Sequence, residues 1–264
     1  MNRGLKYSLI FIFIFNIQAL KIDRAILSWD NNPEFNHFWT IASKAWKKFI
    51  GVKPTLVFIG NKNVKLDTRF GEVLYFEPIA NIPTSFQAMA IRQLIPALYP
   101  NDYCILSDLD ALPIDRKYFY DAIKDLPNNK FAVFYPNPSF YENKFFPPRY
   151  LMWYNVAKGS TFSDVFNVKN LADIRNLLTA WYNTYYKFYN YTTDERMLFK
   201  YLNEWKEKNK RLVLLDVPFK RLNREKWQYS LESITNKEFA DAHLLRPYIK
   251  HKKEIDALLN ALRL

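Results

Sequence analysis

Residues 102–114 read DYCILSDLDALPI, and this stretch is the most informative segment for predicting the fold. Its apolar run, Tyr103–Leu106, predicts a short strand that is buried on both faces. Two aspartates, Asp108 and Asp110, follow the strand with one residue between them. Ligands of open α/β sheets bind just beyond the carboxyl ends of the strands. The position of this acidic pair therefore predicts a ligand site.

Short β-rich runs alternate with amphipathic helical stretches on both sides of this strand. The runs that predict further strands are 24–28, 55–59, 73–76, 131–135, 161–166 and 211–217. The stretches with helical spacing are 35–49, 85–99, 171–186, 193–206 and 250–262. This alternation predicts an α/β fold in one domain, with a mostly parallel central sheet flanked by helices. Gly51 is expected to end the first helix.

An Asp-x-Asp pair at a strand end can present carboxylate oxygens to a divalent cation, directly or through water. Such a cation neutralises a diphosphate. Charge that develops on a departing nucleoside diphosphate has to be stabilised by metal or by basic side chains. A plainer interpretation is also open, in which one aspartate belongs to a turn and caps a helix that begins near Asp115.

The acidic stretch and three further segments resemble motifs of GT-A glycosyltransferases. Residues 87–92 (QAMAIR) are similar to the helix that precedes the acidic motif in several such families, where a basic residue, here Arg92, faces the donor. Asp194 and Glu195 open a helix much as an acidic pair does near the acceptor site. Residues 241–243 (DAH) resemble the segment whose late histidine supplies a metal ligand.

The resemblance covers residues 22–248 and implies a GT-A-like, Rossmann-like catalytic domain over residues 21–264. It implies metal-dependent transfer of a hexose or pentose from a nucleotide-diphosphate sugar to a glycan or glycoprotein acceptor. The implied cofactor is Mn²⁺ or Mg²⁺, with metal ligands Asp108, Asp110 and His243. Donor contacts are expected from Ser28, Asp30, Arg92, Asp108 and Asp110. The implied catalytic carboxylates are Asp194 and Glu195.

Several of these side chains also have a structural interpretation. A histidine among apolar neighbours, such as His243, is commonly a structural residue. Acidic residues such as Asp194 and Glu195 favour the first turn of a helix, where they interact with the positive end of its dipole. Asp30 fits a turn before Pro33. The sequence leaves these interpretations open beside the functional ones.

The formal net charge of +12 favours an anionic partner, but no nucleic-acid-binding motif accompanies it. We therefore expect no nucleic acid among the partners, and we expect a phosphorylated donor instead. The single cysteine, Cys104, excludes an intrachain disulfide and a zinc site made of cysteines.

Residues 1–20 are set apart from the catalytic domain. Arg3 and Lys6 precede an apolar run at 9–15, and the segment ends in small and polar residues, as a secretory signal peptide does. A short signal-anchor is the alternative, although a membrane span needs about 20 apolar residues. We expect delivery to the secretory pathway lumen (ER or Golgi) or export. Membrane association through residues 5–20 follows if the segment is retained.

Two other classes of function stay open on the sequence. A divalent-metal nucleotidyltransferase or phosphohydrolase also uses acidic pairs, but no Gly-rich phosphate loop precedes a helix here. A catalytically inactive transferase-like protein that binds carbohydrate or nucleotide would bind the donor without turning it over. The glycosyltransferase is the leading hypothesis.

Overall fold

A computed structural model describes residues 20–134, 148–209, 211–218 and 220–264. In this part of the chain the strands are β1 (Arg24–Trp29), β2 (Lys53–Ile59), β3 (Glu72–Phe76), β4 (Tyr103–Leu106), β5 (Ala111–Pro113), β6 (Phe131–Phe134), β7 (Asn155–Lys158), β8 (Leu212–Leu215), β9 (Arg221–Leu222) and β10 (Asp241–His243).

Seven of these strands form the central sheet, in the order β3-β2-β1-β4-β7-β6-β8. Strands β3, β2, β1 and β4 are mutually parallel, β7 is antiparallel to both its neighbours, and β8 is parallel to β6. A second sheet of three short strands has the order β5-β10-β9. The prediction of an α/β fold with a mostly parallel central sheet is confirmed.

The helices are α1 (Phe38–Ala45), α2 (Thr84–Ile91), α3 (Arg116–Asp121), α4 (Gly159–Phe166), α5 (Leu171–Trp181), α6 (Lys187–Tyr189), α7 (Thr193–Asn209), α8 (Leu231–Thr235) and α9 (Lys252–Ala261). Wider π-type turns extend α1 through Trp46–Ile50 and α5 through Tyr182–Tyr186. As predicted, Gly51 ends the first helix, with a left-handed φ of 81° that glycine adopts without strain.

Hydrophobic cores lie on both faces of the central sheet, because neighbouring residues of a strand point to opposite faces. Ile26 of β1 belongs to the core covered by α2, α4, α5 and α7. Leu27, the next residue, belongs to the core covered by α1, α3, α8 and α9. Cys104 lies buried in the first of these cores. The helices on the two faces hold the strand ends in fixed positions.

The strand predicted at 161–166 is wrong, because this segment is helix α4. Its buried residues include Phe162, Val165 and Phe166, which have the three-to-four-residue spacing of a helix face. Residues 161–166 are rich in β-branched and aromatic side chains, which favour a strand, and this composition led to the wrong prediction. Gly159 begins the helix where a Cβ would lie 2.0 Å from the carbonyl oxygen of Tyr99. Only glycine allows this close approach of two backbone segments.

Within the described ranges, none of the helices is long and apolar enough to cross a membrane. The predicted signal peptide or signal-anchor lies, except for Leu20, outside the described residues.

Candidate active site

The carboxyl end of β4 leads into the turn that carries Asp108 and Asp110. The N–H of Ser107 donates to the carbonyl of Ile26 in β1, and the N–H of Ala111 donates to the carbonyl of Asp108. The turn is thus attached to the sheet and closed on itself. Asp110 is only 4% exposed. The acidic pair therefore lies at the edge where α/β sheets bind ligands.

The small sheet brings the predicted histidine to this turn. Strand β10 runs antiparallel to β5, with His243 opposite Ala111. The N–H of Leu244 donates to the carbonyl of Asp110 at 2.8 Å. Because Asp110 directly precedes β5, this register places the imidazole beside the Asp110 carboxylate.

A cavity of about 500 Å³ opens at this edge of the sheet. Its walls come from the end of β1, from α2, from the acidic turn and from the segments that contain or follow β9 and β10. The predicted residues that line it are Ser28, Asp30, Arg92, Asp108, Asp110 and His243. The donor and metal residues implied by the resemblance thus share one cavity.

Three side chains converge on one oxygen of Asp110. Its Oδ2 accepts a hydrogen bond from Nη2 of Arg224 at 2.6 Å. The same oxygen lies 3.3 Å from Nε of Arg246 and 3.5 Å from Nε2 of His243. Arg224 also donates from Nε to Nδ1 of His243 at 3.2 Å. Arg224 therefore binds both side chains that were predicted to share a metal.

The surroundings of His243 favour the neutral form of its ring. Burial lowers the pKa of His243 below its usual range, and Arg224 lowers it further against the opposing effect of Asp110. In this arrangement Nδ1 accepts the hydrogen bond from Arg224, so the ring proton is on Nε2, which faces Asp110.

Arg92, just after α2, connects Asp108 to Asp194. Its Nη1 donates to Oδ1 of Asp108, and its Nη2 donates to Oδ2 of Asp194 at 3.4 Å. Burial would raise the pKa of Asp108, but Arg92 outweighs it and holds that pKa at about 2. Asp194 is 2% exposed, and burial raises its pKa to about 6 despite Arg92. Asp194 thus lies behind Arg92, and its side chain is not part of the cavity wall.

Glu195 pairs with a different arginine. Its Oε2 accepts from Nη1 of Arg149 at 2.8 Å, and its side chain is 17% exposed, against 3% for Asp194. Burial, with the charge of Asp194 added to it, raises the pKa of Glu195 to about 8 despite Arg149. A carboxyl group with such a pKa is suited to proton transfer near neutral pH.

A buried network fixes the distance between the acidic turn and the histidine strand. Asp241, fully buried at the start of β10, accepts hydrogen bonds from Nε and Nη2 of Arg221 and from the Tyr154 hydroxyl. The N–H of Tyr154 in turn donates to the carbonyl of Leu106 at the end of β4. Tyr154 therefore links the strand before Asp108 to the strand that carries His243.

Asp30 both forms part of a turn and lines the cavity, as the structural and the functional interpretations each predicted. Its Oδ1 accepts from the N–H of Asn32 at 3.4 Å, as in a turn, and its Oδ2 accepts from the Thr84 hydroxyl at 3.1 Å. The residue nevertheless lines the cavity. The turn therefore holds the carboxylate at the cavity wall.

Asp110 and His243 lie close enough to each other to be ligands of one cation. Two ligands at about 2.1 Å from one cation lie at most about 4.2 Å apart, and the 3.5 Å between Oδ2 and Nε2 meets this limit. Asp108 is turned to Arg92 instead. Among the described residues, no three His, Cys, Asp or Glu side chains form a group that could hold a metal ion. The remaining ligand positions would fall to a diphosphate and to water.

No sequence pattern predicted Arg224 and Arg246, which line the cavity, or Arg149, which pairs with Glu195. Arg224 follows β9 and is 114 positions from Asp110, so no local pattern joins the two residues. For Arg246 a signal existed, since it lies three residues after His243 in the segment that was already singled out.

A solved glycosyltransferase structure shares this fold. The galactosyltransferase LgtC, in complex with donor and acceptor sugar analogs, matches with a TM-score of 0.54 and 11% identity over 91% of this chain and 95% of that chain. The glycosyltransferase GlyE of Streptococcus pneumoniae TIGR4 matches with a TM-score of 0.46 and 12% identity over 91% of this chain and 53% of that chain. No protein-family model and no curated protein sequence matches. The likeness to LgtC confirms the GT-A-like fold that the motifs predicted.

Proposed function

We propose that this chain is a metal-dependent glycosyltransferase that moves a hexose or pentose from a nucleotide-diphosphate sugar to a glycan or glycoprotein acceptor. The observation that carries the proposal is the cavity itself, in which Asp108, Asp110 and His243 meet three arginines at the carboxyl edge of the sheet. The fold of LgtC, which holds donor and acceptor sugar analogs in its structure, supports the same function.

The nucleoside end of the donor would lie at the end of β1. Ser28 and Asp30 line the cavity there, and a carboxylate accepts hydrogen bonds from ribose hydroxyl groups. The diphosphate would lie over Asp110, where Arg224 and Arg246 supply planar donor groups that match phosphate oxygens. Donor base and ribose thus bind on one side of the acidic turn and the diphosphate on the other.

Asp110 and His243 would hold the Mn²⁺ or Mg²⁺ ion, with Asp108 assisting through water or ribose. When bound, the cation supplies positive charge to the leaving diphosphate. Arg92 keeps Asp108 ionised and oriented, because their ion pair lowers the pKa of Asp108 to about 2. The arginines of the cavity add charge at the same oxygens.

Asp194 and Glu195 have separable roles in this proposal. Asp194 holds Arg92 in place from behind. Glu195 takes up the acceptor proton if the transfer inverts the anomeric centre, or orients the acceptor if it retains it. Arg149 positions the Glu195 carboxyl group at 2.8 Å.

A screen of nucleotide sugars for Mn²⁺-dependent hydrolysis tests the function without knowledge of the acceptor. We expect slow release of nucleoside diphosphate from one donor, abolished by EDTA and restored by Mn²⁺. Binding of a nucleotide sugar without any turnover would favour the inactive transferase-like protein. Release of pyrophosphate from a nucleoside triphosphate would favour the nucleotidyltransferase.

We also propose that residues 1–20 deliver the catalytic domain, residues 21–264, to the secretory lumen or export it. The basic residues followed by an apolar run support this proposal. Amino-terminal sequencing of the protein secreted by a eukaryotic host distinguishes a cleaved signal peptide from a retained anchor. Retention of the full-length chain in the cytosol would contradict both.

A further inference from the structure

Arg224 and Arg246 lie where the predicted cation would bind. Arg224 is bonded to Asp110 at 2.6 Å and to His243 at 3.2 Å, and Arg246 lies 3.3 Å from the same Asp110 oxygen. A cation at Asp110 and His243 would have to compete with both guanidinium groups for Oδ2 of Asp110. It would also be repelled by their charges at short range.

The tautomer of His243 also prevents metal binding at this position. Because Arg224 donates to Nδ1, the ring proton is on Nε2, the nitrogen that faces Asp110. A metal ligand needs a free lone pair at that nitrogen. Arg224 therefore has to leave Nδ1 before the Nε2 atom can bind a cation.

These two arginines have less charge compensation than their neighbours. Arg92 is shared between Asp108 and Asp194, whereas Arg224 and Arg246 share one carboxylate, Asp110, that is 5% exposed in its side chain. Their side chains are 17% and 32% exposed and line the cavity, so they can turn toward a ligand there. A diphosphate offers oxygens to both arginine forks.

We infer that Arg224 and Arg246 exchange Asp110 for the diphosphate of the donor, and that this exchange opens Asp110 and His243 to the metal. In the free protein the arginines exclude the cation. With diphosphate bound they move onto its oxygens, and Asp110 and His243 would then be free to hold the cation. Metal and nucleotide then each bind more tightly in the presence of the other. The inference rests on the proposed function and adds an order to its binding steps.

Binding measurements on Arg224→Gln and Arg246→Gln test the exchange. The affinity for Mn²⁺ alone is followed by the electron paramagnetic resonance of free Mn²⁺. The affinities for adenosine, cytidine, guanosine and uridine diphosphates are measured by titration calorimetry in EDTA and in Mg²⁺. Arg69→Gln, which removes an exposed arginine paired with Asp67, is the matched control.

We expect either cavity variant to bind Mn²⁺ alone about 10-fold more tightly than the wild type and to bind the preferred nucleoside diphosphate about 10-fold more weakly in EDTA. The factor by which metal and nucleotide increase each other's affinity should fall toward one. Arg69→Gln should match the wild type. Unchanged or weaker binding of Mn²⁺ in both cavity variants overturns the exchange. In that case the transferase proposal stands if the wild type still binds a nucleoside diphosphate. A wild-type protein that binds none of the four overturns both.

Discussion

The two ends of the central sheet each hold a buried arginine, and the two are paired in different ways. At the amino end, Arg24 of β1 donates to Asp102 and to Glu72, both at 2.8 Å, and to the Thr55 hydroxyl at 2.6 Å. Its guanidinium group also lies 3.8 Å from the centroid of the Tyr99 ring. Glu72 is also paired with Lys53 at 2.6 Å and accepts from the Tyr99 hydroxyl at 3.3 Å, so Arg24 and Lys53 face two carboxylates here.

At the carboxyl end, two arginines share the carboxylate of Asp110. Arg92 divides its contacts between Asp108 and Asp194, and its Nε atom has no hydrogen-bond partner among the described residues. Asp110 accepts from Arg224 while Arg246 and His243 lie within 3.5 Å of the same oxygen. The balanced charges around Arg24 therefore indicate a structural role, whereas the two arginines that share Asp110 indicate a place for further anionic groups.

The largest effect should come from Asp110→Asn at the carboxyl end. The amide keeps the shape of the side chain but loses the charge, so we expect kcat/KM for donor hydrolysis to fall about 10³-fold. Thermal stability should stay within a few degrees of the wild type. The assay is Mn²⁺-dependent release of nucleoside diphosphate, with calorimetric titration of donor and metal. Retained metal-dependent donor affinity would remove Asp110 from the site.

Glu195→Gln should cost about 10²-fold in transfer to an acceptor, because removal of a general base typically has an effect of this order or larger. Binding of donor and metal should be kept. Asp194→Asn, measured beside it, should alter donor binding as well, since Asp194 holds Arg92. Transfer rates within threefold of the wild type for both variants would contradict the assignment of the acidic pair.

Arg24→Gln at the amino end should lower stability and leave turnover per folded molecule unchanged. It leaves Asp102 without this buried partner and leaves Glu72 with Lys53 and the Tyr99 hydroxyl. Because those carboxylates are about one-third exposed, we expect a loss of about 2 kcal/mol rather than the larger cost of a fully buried pair. The melting temperature should fall by about 4–8 °C. A loss of kcat without a loss of stability would show that the two ends are not separate in role.

The smallest effect concerns the pH dependence of stability at Glu195. Its pKa is raised to about 8 in the folded protein, so the folded chain holds this proton more tightly than the unfolded chain. The resulting stabilisation is complete below the unfolded pKa of about 4 and is lost as pH rises toward 8. Glu195→Gln should therefore gain in melting temperature relative to the wild type as pH rises from 5 to 8.5. Glu207→Gln, on the exposed face of the same helix, should show no such trend.

The sequence was sufficient to predict the central strand and to single out several residues that line one cavity at its carboxyl end. Tyr103–Leu106 was placed with its observed bounds, because an apolar run that ends at Ser107 has one simple interpretation. The acidic turn, His243 and the end of β1 were predicted as one site, and the structure brings them to one cavity. The assignment of chemical roles to these residues stays a prediction.

Other features depend on contacts that no local pattern records. Strands of two or three residues, such as β9 and β10, are too short for periodicity to predict. Arg224 reaches Asp110 only because the small sheet aligns distant segments. The burial of Asp194 behind Arg92 is likewise a tertiary property, since the predicted helix start is compatible with either orientation of its side chain.

The pairing of β10 with β5 also sets the order in which the site is completed during synthesis. Strand β5 and the acidic turn emerge from the ribosome long before Asp241–His243, which pairs with Ala111–Pro113 from far along the chain. A nascent chain can assemble β1 to β4 early, while Asp110 still lacks Arg224, His243 and Arg246. Contacts between such distant segments also form late because they require closure of a long loop. Nucleotide affinity would thus report that the carboxyl-terminal part has been made and folded.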